Sequence, residues 1–188
     1  MGLKQNLLED LGLSALLHDI GKSKISDDIL YKQGKLTQKE FLEVSKHSLY
    51  GCEILKNLGI DNGNILRGVR NHHEKLDGNG YPFNVAGKDI STYGRMISIC
   101  DIFDALTATR VYKKGFTHSK AFSILIEMAD RGQLDNNLVH QFIKCVGVFP
   151  IGSLVQLRSN KLALVQVRND KSPTKPKVDT FYSVNAHQ

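Results

Sequence analysis

The chain of 188 residues contains no tryptophan, four prolines and three cysteines, and no apolar run is long enough to span a bilayer. The cysteines, Cys52, Cys100 and Cys145, are odd in number, far apart and without a Cys-x-x-Cys pair. This spacing excludes a disulfide framework and a zinc knuckle, and it is typical of reduced thiols in a cytosolic protein. The N-terminus also lacks the basic and then apolar pattern of a signal peptide. We therefore expect a cytoplasmic chain with no membrane segment.

Basic residues outnumber acidic ones, but they are dispersed. The chain carries 25 Lys and Arg against 19 Asp and Glu, a net charge of +6. Nucleic-acid-binding proteins concentrate their basic residues on one face or helix, whereas most of these are scattered as on a solvated surface. The net charge is thus the only feature that would suit a nucleic-acid-binding protein, and without a basic cluster we expect no nucleic-acid partner.

Apolar residues recur at helical spacing as far as Val148. Helices are expected up to His18, from Thr37 to Leu55, from Asp61 or Asn64 to His73, and over Tyr93–Ala108, Ser119–Ala129 and Asp135–Cys145. After Pro150 the pattern changes to two β-prone segments joined by a polar turn. The sequence therefore predicts an all-α helical bundle over residues 1–148, followed by a small β hairpin and tail over 149–188.

Histidines and acids occur together in short segments. The segments His18-Asp19, His47 and His72-His73 offer imidazole and carboxylate groups, which are ligands that transition metals prefer. A lone histidine such as His47 is more often a surface or core residue, so only the combination indicates a site. Hydrolysis of a phosphodiester needs an activated water and compensated charge on the phosphoryl oxygens, which two metals ~3.5–4 Å apart supply. The residues by themselves indicate metal-assisted phosphoester hydrolysis.

The segments His18–Lys22 and His72–Pro82 resemble the signature of the HD-GYP family, a branch of the HD metal-dependent phosphohydrolases. Asp101–Thr107 and Arg110–Lys113 fit the same family, and the resemblance extends from about Leu11 to Val155. It implies an HD-domain-like helical bundle that acts as a cyclic di-GMP phosphodiesterase in bacterial second-messenger signalling and yields pGpG or GMP. Related cyclic dinucleotides, including cyclic GMP-AMP, belong to the same class of substrate.

The same resemblance implies two divalent transition metal ions, with iron as the first choice and manganese as the next. It places one ion on His18, Asp19 and Asp101, and the other on Asp19, His47, His72 and His73. Asp19 is accordingly the expected bridging and catalytic carboxylate.

Three basic residues are expected to contact the substrate. Lys22, after the HD pair, is assigned a catalytic role and contact with a phosphate oxygen as a point charge; the alternative is that it balances the carboxylates around the metals. By resemblance, Arg110 and Lys113 hold the substrate's phosphates, which the planar fork of arginine suits; the alternative is that they complement a helix dipole. The glycine-rich loop, Gly78–Pro82, is also the family's proposed docking surface for GGDEF-type cyclases, which are candidate protein partners.

Family members usually carry one more histidine ligand on a helix well upstream of the HD pair. No histidine precedes His18 here, so we expect the upstream helix to be absent, the first metal to lack a ligand, and activity to be low. The alternative function is a catalytically impaired HD-GYP signalling module that docks partner proteins through its loop. A phosphohydrolase of mononucleotides is a further alternative, against which the loop speaks.

Overall fold

The computed structural model describes residues 4–109, 114–169, 172 and 175–184. Within these ranges eight α-helices come first: α1 (Gln5–Leu17), α2 (Asp27–Leu30), α3 (Gln38–Ser45), α4 (His47–Asn57), α5 (Gly63–Asn71), α6 (Thr92–Thr107), α7 (His118–Asp130) and α8 (Asn136–Val146). Two 3-10 helices, Ile20–Lys24 and Gly87–Asp89, lie between them. Of the described helices, none has both the length and the apolar character needed to cross a membrane.

The helix expected from Thr37 to Leu55 is interrupted at Lys46, so the expectation of one continuous helix was wrong. Its capping box is present, because the Thr37 hydroxyl accepts from the Glu40 amide and the Glu40 carboxylate accepts from the Thr37 amide. At the break, the Val44 carbonyl accepts from the Lys46 amide and lies 2.7 Å from His47 Nδ1. The imidazole competes for a carbonyl of the helical ladder, and a new helix, α4, begins at His47.

Two hydrophobic cores hold the helices together. In one, α6, α7 and α8 meet through buried side chains that include Ile99, Leu125 and Val139. In the other, Leu55 of α4 packs against Val69 of α5 and its neighbours. The second core lies beside the helix ends that carry His47 and His72. The packing of α4 on α5 therefore fixes the spacing of these histidines.

Glycines allow the backbones around this second core to approach each other closely. A Cβ on Gly21 would collide with the His47 carbonyl oxygen and with the Gly51 amide nitrogen. Similarly, a Cβ on Gly68 of α5 would collide with the Ser14 hydroxyl of α1. Because glycine has no Cβ, the end of α1 can lie directly against the start of α4 and against α5.

The C-terminal part of the chain forms a small antiparallel sheet. Strands β1 (Leu154–Gln156), β2 (Lys161–Val167) and β3 (Lys177–Ser183) are arranged in the order β1-β2-β3. The expected hairpin corresponds to β1 and β2, whereas β3 was not predicted. The predicted fold class, an all-α bundle with a small C-terminal β element, is confirmed. The division into two units at residue 148 stays a prediction.

Candidate metal centre

The six residues expected as metal ligands converge on one site, and five of them lie at helix ends. His18 and Asp19 follow α1, His47 opens α4, His72 and His73 follow α5, and Asp101 lies within α6. Side chains at helix ends can turn towards a common point, while the packed helices behind them hold their spacing. The structure thus brings together residues that are 83 positions apart in the chain, from His18 to Asp101.

Asp19 lies at the centre of the site with its two oxygens turned towards different neighbours. Its Oδ1 atom lies 3.3 Å from His47 Nε2 and 3.9 Å from His72 Nε2. Its Oδ2 atom lies 3.4 Å from His18 Nε2 and 2.5 Å from Lys22 Nζ. Within the described residues, the buried Oδ1 atom has no hydrogen-bond partner. A carboxylate divided in this way has the geometry to bridge two cations.

Three of the histidines are oriented by the same local contact. The Nδ1 atoms of His18, His47 and His72 lie 2.7, 2.7 and 2.6 Å from the carbonyl oxygens of Ala15, Val44 and Val69, three residues earlier in each case. Since a carbonyl can only accept, each Nδ1 must carry the hydrogen, and in the neutral ring each Nε2 keeps a free lone pair. A backbone acceptor on one nitrogen, with the other left bare, is the usual arrangement of a metal-binding histidine.

The protonation states in the site also suit a cation. Burial lowers the pKa of His72 to about 3 and that of His73 to about 2, so both imidazoles are neutral near pH 7. Burial raises the pKa of Asp101. For Asp19 burial acts in the same direction, but its contacts with His18, His47 and the Lys22 ammonium prevail and hold its pKa well below the usual range. The contact with Asp19 raises the pKa of His18. The neutral imidazoles of His72 and His73 and the ionised carboxylate of Asp19 are the forms that bind metals.

The donor set fits a divalent transition metal. Asp19, His47, His72 and His73 each offer one ligand atom, and these atoms all lie within 4.8 Å of one another. An unpartnered buried carboxylate oxygen is costly unless a positive charge lies beside it. Mixed imidazole and carboxylate ligands favour metals such as iron, manganese or zinc, and they do not select one of them.

The two remaining expected ligands lie at the edge of this group. His18 Nε2 is 3.9 Å from one oxygen of Asp101, and His73 Nδ1 is 3.9 Å from the other. Asp101 therefore spans the side of the site that faces α6, with His18 and Asp19 beside it. Whether His18, Asp19 and Asp101 hold an ion of their own stays a prediction.

The glycine-rich loop forms a wall of the site. The Tyr81 amide donates to the His73 carbonyl, and the Tyr81 ring stacks on the His73 imidazole with centroids 4.6 Å apart. Gly80 lies against the backbone of Glu74, where a Cβ would collide. Burial raises the pKa of the Tyr81 phenol, and the nearby carboxylates of Asp101 and Asp19 act in the same direction. The phenol therefore stays a neutral donor beside the two carboxylates.

Sequence reasoning did not identify Glu74, which anchors this loop. Its side chain is buried, and one carboxylate oxygen accepts a hydrogen bond of 2.8 Å from the Phe83 amide. In the described part of the chain, the other oxygen has no partner, and the residue lines a small cavity together with Arg95 and Ser98. Its place between the double histidine and the glycine-rich turn was the one signal in the sequence.

The expected substrate-binding residues are only partly described. Lys22 lies in the site and makes the 2.5 Å contact with Asp19, so its ammonium balances the central carboxylate. Arg110 and Lys113 lie outside the described residues. Of the expected basic residues, Lys22 is thus the one that the structure places at the cluster.

Known proteins with similar sequences or folds point in one direction. The family model described as HD domain matches residues 1–138. A cyclic di-GMP phosphodiesterase of Pseudomonas aeruginosa is 38% identical over 184 residues, which cover 98% of this chain and 44% of that protein. A 3′3′-cGAMP-specific phosphodiesterase of Vibrio cholerae is 46% identical over 114 residues, which cover 61% of this chain and 25% of that protein.

One solved structure supports the fold. The crystal structure of a cyclic GMP-AMP-specific phosphodiesterase of Vibrio cholerae superposes with a TM-score of 0.58 at 16% identity, covering 77% of this chain and 39% of that one. At this identity the likeness concerns the fold alone. The chain spans less than half the length of each of these relatives.

A helical fold with a buried imidazole and carboxylate cluster defines the class of HD-type metal-binding domains. The chain belongs to the HD-domain family. Its expected place in the HD-GYP branch, indicated by the His72–Pro82 segment, is confirmed.

Proposed function

We propose that this domain is a metal-dependent phosphodiesterase that hydrolyses cyclic di-GMP to pGpG or GMP. The observation that carries the proposal is that the two carboxylate oxygens of Asp19 face different neighbours. Oδ1 faces His47 and His72, while Oδ2 faces His18 and Lys22. Two adjacent cation positions that share one carboxylate suit a phosphodiester, because its charge must be compensated on more than one oxygen. Relatives of this chain are named as phosphodiesterases of cyclic dinucleotides.

Asp19, His47, His72 and His73 would hold one divalent ion, and His18, Asp19 and Asp101 the other. When bound, such ions lower the pKa of a water molecule and compensate the negative charge of the phosphoryl oxygens. We take iron as the first candidate and manganese as the second. Asp19 keeps its charge by contact with Lys22, and the carbonyls of Val44 and Val69 hold two imidazoles in the tautomer that leaves Nε2 bare.

Other residues of the chain would bind and orient the substrate. Lys22 reaches the central carboxylate and can contact a phosphate oxygen in the same place. Tyr81 covers one face of the His73 imidazole. We assign contact with the substrate's phosphates to Arg110 and Lys113 as well.

Cyclic GMP-AMP is the second candidate substrate, because a relative named for it is 46% identical over 114 residues, whereas one named for cyclic di-GMP is 38% identical over 184 residues. The impaired signalling module is not favoured, since the six ligands expected within this chain converge on one site. Docking of a GGDEF-type cyclase on the loop and a cytoplasmic location stay predictions.

A substrate panel tests the proposal. The protein is loaded anaerobically with Fe²⁺ or Mn²⁺ and incubated with cyclic di-GMP, cyclic GMP-AMP and a mononucleotide, and the products are separated by chromatography. We expect turnover of a cyclic dinucleotide, and none of the mononucleotide. Hydrolysis of the mononucleotide alone would assign the domain to the general nucleotide phosphohydrolases.

A further inference from the structure

An aromatic side chain next to the candidate metal centre has no role in the chemistry described above. Phe41 of α3 is 45% exposed. Its ring meets the Tyr81 ring edge to face, with centroids 5.8 Å apart and an interplanar angle of 82°. Tyr81 in turn stacks on His73. Phe41 is thus the outermost of three rings in consecutive contact, of which the innermost, His73, belongs to the candidate metal centre.

The helical turn that carries Phe41 is fixed to the site. The Ser45 hydroxyl donates to the Phe41 carbonyl at 2.7 Å. In the same turn, the Val44 carbonyl holds His47 Nδ1. The backbone that carries the Phe41 ring therefore also orients a candidate metal ligand, and the ring has a defined position relative to the cluster.

We propose that Phe41 stacks on a purine base of the cyclic dinucleotide while a phosphate of the same molecule lies at the metal cluster. This inference rests on the proposed function. The exposed Phe41 ring, in contact with Tyr81 of the site wall, offers a base a flat apolar surface. Aromatic residues bind bases in this way in proteins that bind single-stranded nucleic acids. A ribose links base and phosphate, which matches the separation of Phe41 from the cluster by one intervening ring, Tyr81.

Neighbouring apolar residues are less suited to this role. The ring of Phe83, which follows the glycine-rich loop, already lies under the Arg70 guanidinium, with 5.5 Å between the guanidinium carbon and the ring centroid. Leu42, beside Phe41 on α3, is 55% exposed but has no ring. Stacking accepts every base because every base has a π face, so Phe41 contributes affinity and does not choose between guanine and adenine.

Steady-state kinetics of the metal-loaded protein provide the first test. Phe41→Ala should raise KM for cyclic di-GMP roughly ten-fold, which corresponds to about 1.4 kcal/mol, because the variant loses the stacking of a base on the aromatic ring. The kcat value and the metal content should stay at the wild-type level, and Phe41→Tyr should restore KM. Leu42→Ala, the matched control on the same helix, should leave KM unchanged. Equal KM values for Phe41→Ala and wild type, or equal losses in both alanine variants, would overturn the assignment.

Fluorescence provides a second test that does not depend on turnover. Because the chain has no tryptophan, Phe41→Trp introduces a single indole at the proposed base position, and Leu42→Trp introduces one at the control position. Rapid mixing of the metal-loaded variants with cyclic di-GMP should, before turnover, quench the first emission and leave the second unchanged. Turnover without quenching would overturn the role of Phe41 and leave the proposed function intact. If the wild type neither binds nor hydrolyses a cyclic dinucleotide, both proposals fail.

Discussion

The Nε2 atoms of His47 and His72 lie 3.2 Å apart, although the Nδ1 atom of each is held by a backbone carbonyl. Two bare nitrogen lone pairs at this distance repel each other unless a positive charge lies between them. Asp19 Oδ1, another acceptor, is 3.3 Å from His47 Nε2. Three acceptors that face one point are best explained as the ligands of a cation.

Loss of one of these imidazoles should weaken metal binding. His47→Ala removes a ligand and leaves His72 and Asp19 facing a cavity, so we expect the affinity for Mn²⁺ to fall by more than the roughly 10–100-fold that loss of an outer partner costs. His140→Ala, at an exposed position of α8, should bind Mn²⁺ like the wild type. Calorimetric titration measures both, and equal affinities would contradict the ligand assignment.

Alanine substitutions of Asp19 and of Arg110, the expected phosphate-binding arginine, should affect metal content and kinetics differently. Asp19→Ala should remove metal binding and hydrolysis together, because both cation positions depend on its oxygens. Arg110→Ala should leave the metal content unchanged and raise KM, since we assign its guanidinium to the substrate. Elemental analysis combined with kinetics separates these effects, and equal loss of metal in both variants would refute the assigned roles.

The stability of the metal-free protein should depend on pH through His72. An unfolded histidine takes up a proton near pH 6.5, whereas folded His72 does so only near its lowered pKa of about 3. Between these values the unfolded state binds more protons, so the free energy of unfolding falls as the pH decreases below about 6.5. Urea denaturation in a chelator should show a loss of about 1.4 kcal/mol per pH unit from this residue.

The matched variant His72→Gln isolates this contribution. The raised pKa of His18, caused by Asp19, acts in the opposite direction and remains in both proteins. The slope of stability against pH should therefore be smaller for His72→Gln than for the wild type. Identical slopes would show that His72 is not buried in its neutral form.

Alanine substitutions of two glycines, Gly21 and Gly12, should change the stability of the protein in opposite directions. Gly21→Ala places a methyl group against the His47 carbonyl, and we expect a loss of at least about 2 kcal/mol from this overpacking. Gly12→Ala, in α1 with nothing within 4 Å of the new Cβ, should stabilise the protein by about 0.5–1 kcal/mol through helix propensity. Thermal denaturation measures both, and similar shifts would argue against the close approach of Gly21 to α4.

The longer helices and the convergence of the expected ligands could be predicted because both leave a local pattern. Apolar spacing marks these helices, and ligands such as His18 and His72 stand where a helix ends. The four residues of α2 are too few to show such a spacing, and this helix was not predicted. The interruption at Lys46 could not be predicted, since it depends on the contact of His47 with Val44, a side-chain competition that periodicity does not register. Strand β3 was missed because its pairing with β2 bridges a polar, Lys- and Pro-containing segment.

The anchor of the loop was missed for a different reason. Glutamate is usually a surface residue, and only the folded loop shows that the Glu74 carboxylate is buried against the Phe83 amide. The ring contacts of Tyr81 with His73 and Phe41 likewise join three separate segments. Such contacts follow from tertiary structure, and no short pattern in the sequence encodes them.

The deciding measurement is the rate of cyclic di-GMP hydrolysis as a function of the amount of Fe²⁺ or Mn²⁺ bound per chain under anaerobic conditions. We expect pGpG or GMP to form in proportion to bound metal, and Asp19→Ala to show neither bound metal nor product. A wild-type protein that binds the metal tightly and leaves the cyclic dinucleotides intact would contradict this expectation, as would an Asp19→Ala variant that hydrolyses cyclic di-GMP at the wild-type rate.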